Sequence, residues 1–167
     1  MVTAQSDLDV VVSFVFVVRD EFGARIERMK QVISTKDAPA AVGPYSQAIR
    51  AGSMVFCAGQ IPLDPKSGQI ESQDVGEQAK RVLENIGAVL EAAQLNFSHV
   101  VKTTVFLVDL ADFQTVNAIY AGFFRENPPA RSTVQVSALP KGARVEIEAI
   151  AVANDGSGGK TASDTSG

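Results

Sequence analysis

Between residues 74 and 93 the apolar side chains Val75, Ala79, Val82, Leu83, Ile86, Val89, Leu90 and Ala93 recur at steps of three and four, which gathers them on one stripe of an α-helix. Glu77, Lys80, Arg81, Glu84 and Glu91 take the other side, the ordinary solvated face of such a helix. Asp74 stands where it can cap the first turn, and Glu77 follows at the spacing of a capping box. A single apolar stripe has to be laid on a surface, and the stretches around this helix alternate with period two, the pattern of strands.

After Pro128-Pro129 the apolar residues fall on even numbers (Val134, Val136, Ala138), and Arg131, Thr133, Gln135 and Ser137 take the odd ones. This predicts a half-buried strand whose polar face begins with Arg131. Beyond a break at residues 139–143, Val145, Ile147, Ala149 and Ala151 alternate with Glu146 and Glu148, so a second strand carries two carboxylates on its polar side. The two strands are expected to be neighbours, which would put an arginine close to a pair of glutamates. Taken alone, such charges on strands are usually no more than solvated side chains.

Earlier in the chain, residues 46–50 and 53–58 read as a hairpin turning at Ala51-Gly52, the second strand apolar on both faces as in the middle of a sheet. Cys57 within it is expected to be buried and inert. Two prolines and a glycine in residues 38–45 make a stiff loop that delivers Tyr45. Residues 100–109 read as a strand and 112–124 as a second helix with Phe113, Val116, Tyr120 and Phe123 inward, stopped by Pro128-Pro129. The expected fold is α+β: a mixed six-stranded sheet with two helices on one face. Thr103, Val105, Leu107, Ile150 and Val152 are assigned to the face the helices leave open, and burying it against identical copies predicts a homo-oligomer.

The chain has 167 residues, 46% of them hydrophobic, enough for one packed core. Its 15 basic and 19 acidic residues include no basic run, so no nucleic-acid partner is expected. The single Cys57 excludes an intramolecular disulfide and suits a reducing, cytoplasmic setting. His99 is the one histidine, in what reads as a loop, and it cannot by itself make a histidine metal site. Residues 1–28 hold an apolar run over 10–18 that falls short of the ~20 residues of a membrane span and follows acidic residues, so they read as an appended segment and no membrane association is expected. Residues 29–154 form the expected domain, and the Gly/Ser/Thr-rich residues 155–167 read as a disordered tail.

Five strings in order, residues 43–48 (GPYSQA), 58–62 (AGQIP), 101–106 (VKTTVF), 129–134 (PARSTV) and 145–149 (VEIEA), resemble the successive motifs of the RidA/YjgF family of reactive-intermediate deaminases. The resemblance runs from about residue 29 to 153. It implies a chorismate-mutase-like α+β subunit, a homotrimer with clefts between subunits, and hydrolysis of 2-enamino and 2-imino acids to 2-oxo acids and ammonia, with no metal or organic cofactor. Position by position, it implies that Arg131 binds the substrate carboxylate, Glu146 positions a water and Tyr45 closes over the substrate. The backbone of Gly59 would line the cleft with Ala58, where many relatives have serine, and Thr133, where many have cysteine. Asn117 would help order the fold. On the residues alone, Tyr45 reads equally as loop packing. A non-catalytic trimer that binds small carboxylates is the alternative, and the acidic balance argues against a ribonuclease.

Overall fold

The computed structural model describes residues 30–153, and the expected segments at 1–28 and 155–167 lie outside the described residues. Six strands form one mixed sheet: β1 (Lys30–Ile33), β2 (Ala48–Ala51), β3 (Met54–Gln60), β4 (Val100–Leu107), β5 (Ala130–Gln135) and β6 (Val145–Val152), in the spatial order β1-β2-β3-β6-β4-β5. β2 and β3 form the expected hairpin across Gly52-Ser53, where Gly52 takes the positive φ of 60° that a two-residue turn needs. β6 runs antiparallel to both β3 and β4, and β4 pairs parallel with β5.

Two helices, α1 (Val75–Ala92) and α2 (Phe113–Phe123), make the crossovers from β3 to β4 and from β4 to β5. All eight residues of the predicted α1 stripe are buried. They pack on Val55, Cys57, Val105, Leu107, Val145, Ile147, Ala149 and Ala151 of the sheet. Asp74 Oδ1 accepts the Glu77 amide at 2.9 Å, as expected of a cap, but the box is not closed. The Asp74 amide goes instead to Ser72 Oγ at 3.1 Å. At the other end, where the last turn has no basic residue of its own, the Arg50 guanidinium reaches from β2 to the Ala93 carbonyl. His99 belongs to a short 3-10 turn (Phe97–His99) and completes a capping box with Asn96.

Leu83→Ala should lower the unfolding free energy by about 2–5 kcal/mol, because Leu83 is wholly buried where helix meets sheet and the cavity cannot refill. Urea titration of the two proteins measures it.

Two sequence expectations about the sheet are corrected. Thr103, Val105 and Leu107 are not on the open side; they are at most 2% exposed, beneath the helices. The open side of the sheet instead carries Met54, Phe56 and Val134, each about 40% exposed, with the half-buried Phe106, Ile150 and Val152. Alternation divides a strand into two sets without saying which set faces the core, and register with neighbours decides that. The second correction concerns β5 and β6, which are not neighbours: β4 lies between them. Among the described residues no helix is long and apolar enough to cross a membrane.

Candidate functional site

A cleft of about 520 Å³ opens beside the end of β3, lined among others by Tyr45, Ala58, Gly59, Gln60, Lys141 and Glu146. Tyr45, Ala58, Gly59 and Glu146 of the predicted site are thus brought together. Their meeting depends on a bulge: from Cys57 to Gln60 the chain takes three steps on β3 while its partners on β6, Ala149 and Ile147, are two apart. Gly59 sits in that bulge, directly against the Glu146 side chain. A Cβ placed on Gly59 would fall on the Glu146 carboxylate and within 2.9 Å of its Cδ, so only glycine leaves the acid room.

Three buried amide side chains, none of them among the predicted site residues, hold the surrounding segments. Gln47 Nε2 donates to the carbonyls of Thr35, Ala38 and Pro39 at 2.8–3.2 Å, fixing the loop before Tyr45. Asn85, buried on α1, donates to the Ile61 and Leu63 carbonyls at 3.2 and 3.0 Å and so ties down another wall. Gln78 Oε1 accepts from the Arg144 amide at 2.9 Å, at the start of β6. A polar residue inside an otherwise apolar stripe, as Gln78 and Asn85 are, is the signal that could have found them, because a buried amide must find partners.

Arg131 is elsewhere. It lines a second hollow of about 310 Å³ with Asn117, Tyr120, Ala121, Phe124, Pro128 and Pro129. Its Nη2 donates to Asn117 Oδ1 at 2.9 Å, and its guanidinium lies 4.7 Å from the centroid of the Tyr120 ring. The register explains the separation. Arg131 pairs with Thr103, which points beneath the helices, whereas Glu146 pairs with Phe106 on the open side. Residues paired across a ladder share a face. Within one chain, then, Arg131 and Glu146 project from opposite faces of the sheet. The polar side of β5 that Arg131 begins, with Thr133 half-buried on it, turns toward the helix layer, while the apolar Val134 is exposed.

Partial burial raises the pKa of Glu146, and the charge of Glu148 two residues along the same strand face raises it further. A carboxyl with a raised pKa is better suited to exchange a proton near neutrality. It also carries a folding cost: the ionised form is less welcome in the folded chain than in the unfolded one. That cost is absent below the unfolded pKa of roughly 4.3 and complete above the raised folded value. Glu146→Gln should therefore raise the melting temperature at pH 7, with the gain shrinking to nothing near about pH 4. Melting curves of both proteins across that range check it. Cys57, by contrast, is buried and its thiol is pushed up to about 11, so it stays an unreactive core side chain as expected.

Residues 35–153 match the protein family described as Endoribonuclease L-PSP. The human 2-iminobutanoate/2-iminopropanoate deaminase is 53% identical over 124 residues, 74% of this chain and 90% of that protein. The crystal structure of the YjgF gene product of E. coli superposes with a TM-score of 0.70 at 51% identity, covering 73% of this chain and 98% of that one. E. coli TdcF, solved with bound serine, gives 0.71 at 49% identity with the same coverage. A bulged strand seating a carboxylate, an arginine across the sheet from it and these likenesses together place the chain in the RidA/YjgF family.

Proposed function

We propose that this chain hydrolyses 2-imino acids and their 2-enamino tautomers to 2-oxo acids and ammonia, at sites each built from two copies of the chain. The observation that carries the two-copy site is the placement of Arg131 and Glu146 on opposite faces of one sheet. One copy supplies Arg131, with Thr133 beside it, and a second supplies the cleft of Tyr45, Ala58, Gly59 and Glu146. A homotrimer closes this head-to-tail arrangement with three equal sites, and the exposed Met54 and Phe56 of the open face give it apolar surface to bury. The solved relative that holds serine, an α-amino acid, supports a carboxylate ligand.

The chemistry asks little of the protein. A planar guanidinium grips the substrate carboxylate through two parallel hydrogen bonds. Water adds to the C2 carbon of the C=N bond as Glu146 takes its proton, giving a carbinolamine. Glu146 returns the proton to nitrogen. The carbinolamine hydroxyl then passes its own proton by way of Glu146 to the same nitrogen as C=O forms and the C–N bond breaks, and ammonia leaves with the 2-oxo acid. Atoms balance with one water consumed, so no metal, organic cofactor or protein nucleophile is required. Thr133 in place of a thiol and Ala58 in place of a serine hydroxyl leave this route intact.

Imines generated in situ by an amino-acid oxidase should lose ammonia faster with the protein present than without it. Release at the uncatalysed rate, with 2-oxo acids still bound through Arg131, would favour the non-catalytic carboxylate-binding reading instead. The acid limb of kcat/KM should also move to lower pH in Glu148→Gln, since removing that negative charge lowers the pKa of Glu146.

A further inference from the structure

Arg131 is held on more sides than a solvated edge-strand arginine needs. Tyr120 of α2 is 5% exposed and presents its ring face to the guanidinium at 4.7 Å, with the Phe113 ring 5.6 Å away. That ring is itself fixed. Its hydroxyl shares a 2.8 Å hydrogen bond with Thr103 Oγ1, 1% exposed on β4, and its other neighbour Phe124 stacks on it at 4.3 Å. Phe124 in turn meets Phe97 edge-on at 5.1 Å. Asn117, one helical turn before Tyr120, supplies the in-plane acceptor at 2.9 Å from Nη2.

We infer that Asn117 and Tyr120 are positioning residues: the ring sets the plane of the Arg131 guanidinium, the amide sets its rotation within that plane, and together they present a pre-oriented fork to the substrate carboxylate. The ring face attracts the cation while leaving its in-plane N–H groups free to point outward. Asn117 occupies one hydrogen of Nη2, which leaves the second and those of the adjacent nitrogens to bind a carboxylate side-on. The long arginine side chain otherwise loses rotamer freedom on binding, so fixing it beforehand strengthens ligand affinity without adding a contact. Thr103 acts one step further back, by holding the ring.

The inference rests on reading Arg131 as the carboxylate fork, and the experiment separates the two. In the full-length protein, Asn117→Ala should raise KM, and the Kd for 2-oxobutanoate, about tenfold with kcat changed far less. In an Arg131→Lys background the same change should have almost no further effect, because an ammonium has no plane to set. Tyr120→Phe, which keeps the ring face, should stay within about threefold of wild type, while Tyr120→Leu should resemble Asn117→Ala. NMR of the Arg131 guanidinium protons gives a readout independent of turnover: slow rotation about the Nε–Cζ bond in the wild type, faster in Asn117→Ala. Equal losses from Asn117→Ala in both backgrounds, or free guanidinium rotation in the wild type, overturns the positioning role. If imine hydrolysis is absent but the NMR and 2-oxobutanoate results hold, the deaminase reading fails and the positioning role stands.

Discussion

Arg131→Ala should reduce kcat/KM for a 2-imino acid by on the order of 10³-fold, because it removes two charge-assisted hydrogen bonds to the substrate carboxylate at once. Arg131→Lys should fall between the two, keeping the charge and losing the fork. Neither change should unfold the protein, since Arg131 lies half-buried on the edge strand β5 and lines an open hollow rather than the fully buried core. Melting temperatures serve as that control. The same variant also tests where the site is. Glu146→Gln should be inactive too, yet mixing it with Arg131→Ala under conditions that exchange subunits should restore activity. A copy with its arginine intact can then meet a copy with its glutamate intact. Random mixing in equal amounts produces such a pair at roughly a quarter of the junctions of a head-to-tail ring. No recovery, with subunit exchange demonstrated independently, would mean that both groups act within one chain, and the two-copy site would be abandoned.

Gly59→Ala should be nearly as damaging to turnover, with a loss on the order of 10² or more in kcat, although the substitution adds one methyl group. That methyl would take the place of the Glu146 carboxylate, and all three of its nearest atoms belong to the Glu146 side chain. Because the side chain is flexible and at the cleft, it can swing away, so the fold survives while the acid leaves its working position. The cost in stability should be modest, about 1 kcal/mol. A control isolates the cause: in a Glu146→Ala background, where the space is vacated, Gly59→Ala should cost almost nothing further in stability. A Gly59→Ala enzyme with wild-type kcat would show that the position of Glu146 does not matter to the reaction.

Each of these predictions depends on residues that were legible in the chain for different reasons. The stripe of α1 could be read from spacing alone, since only one helical face collects Val82, Leu83, Ile86, Val89 and Leu90, and all are fully buried. The hairpin at Gly52 and the stop after α2 could be read from turn chemistry. Arg131, Glu146, Tyr45 and Gly59 stood out through the motifs that resemble the family. The resemblance implies that Asn117 helps order the fold, and in the structure its side-chain oxygen accepts a hydrogen bond from Arg131. Helical spacing assigns Tyr120 to an inward face, which it takes, and nothing in that spacing says that its ring lies against a cation.

Local pattern determined which segments are helix and strand, because burial of an apolar face follows a period of 3.6 or 2 that is written in the order of the residues. It also determined the residue types available for chemistry: one histidine, one thiol, and an arginine and glutamates on strands. Tertiary structure alone decided that β4 separates β5 from β6, that Thr103, Val105 and Leu107 face inward, and that Arg131 and Glu146 leave the sheet in opposite directions. Alternation is blind to a flip of the strand, and strand order is set by which crossovers can cover the sheet with helices. Both are choices made by the whole chain in packing one core, and no single stretch of it carries them.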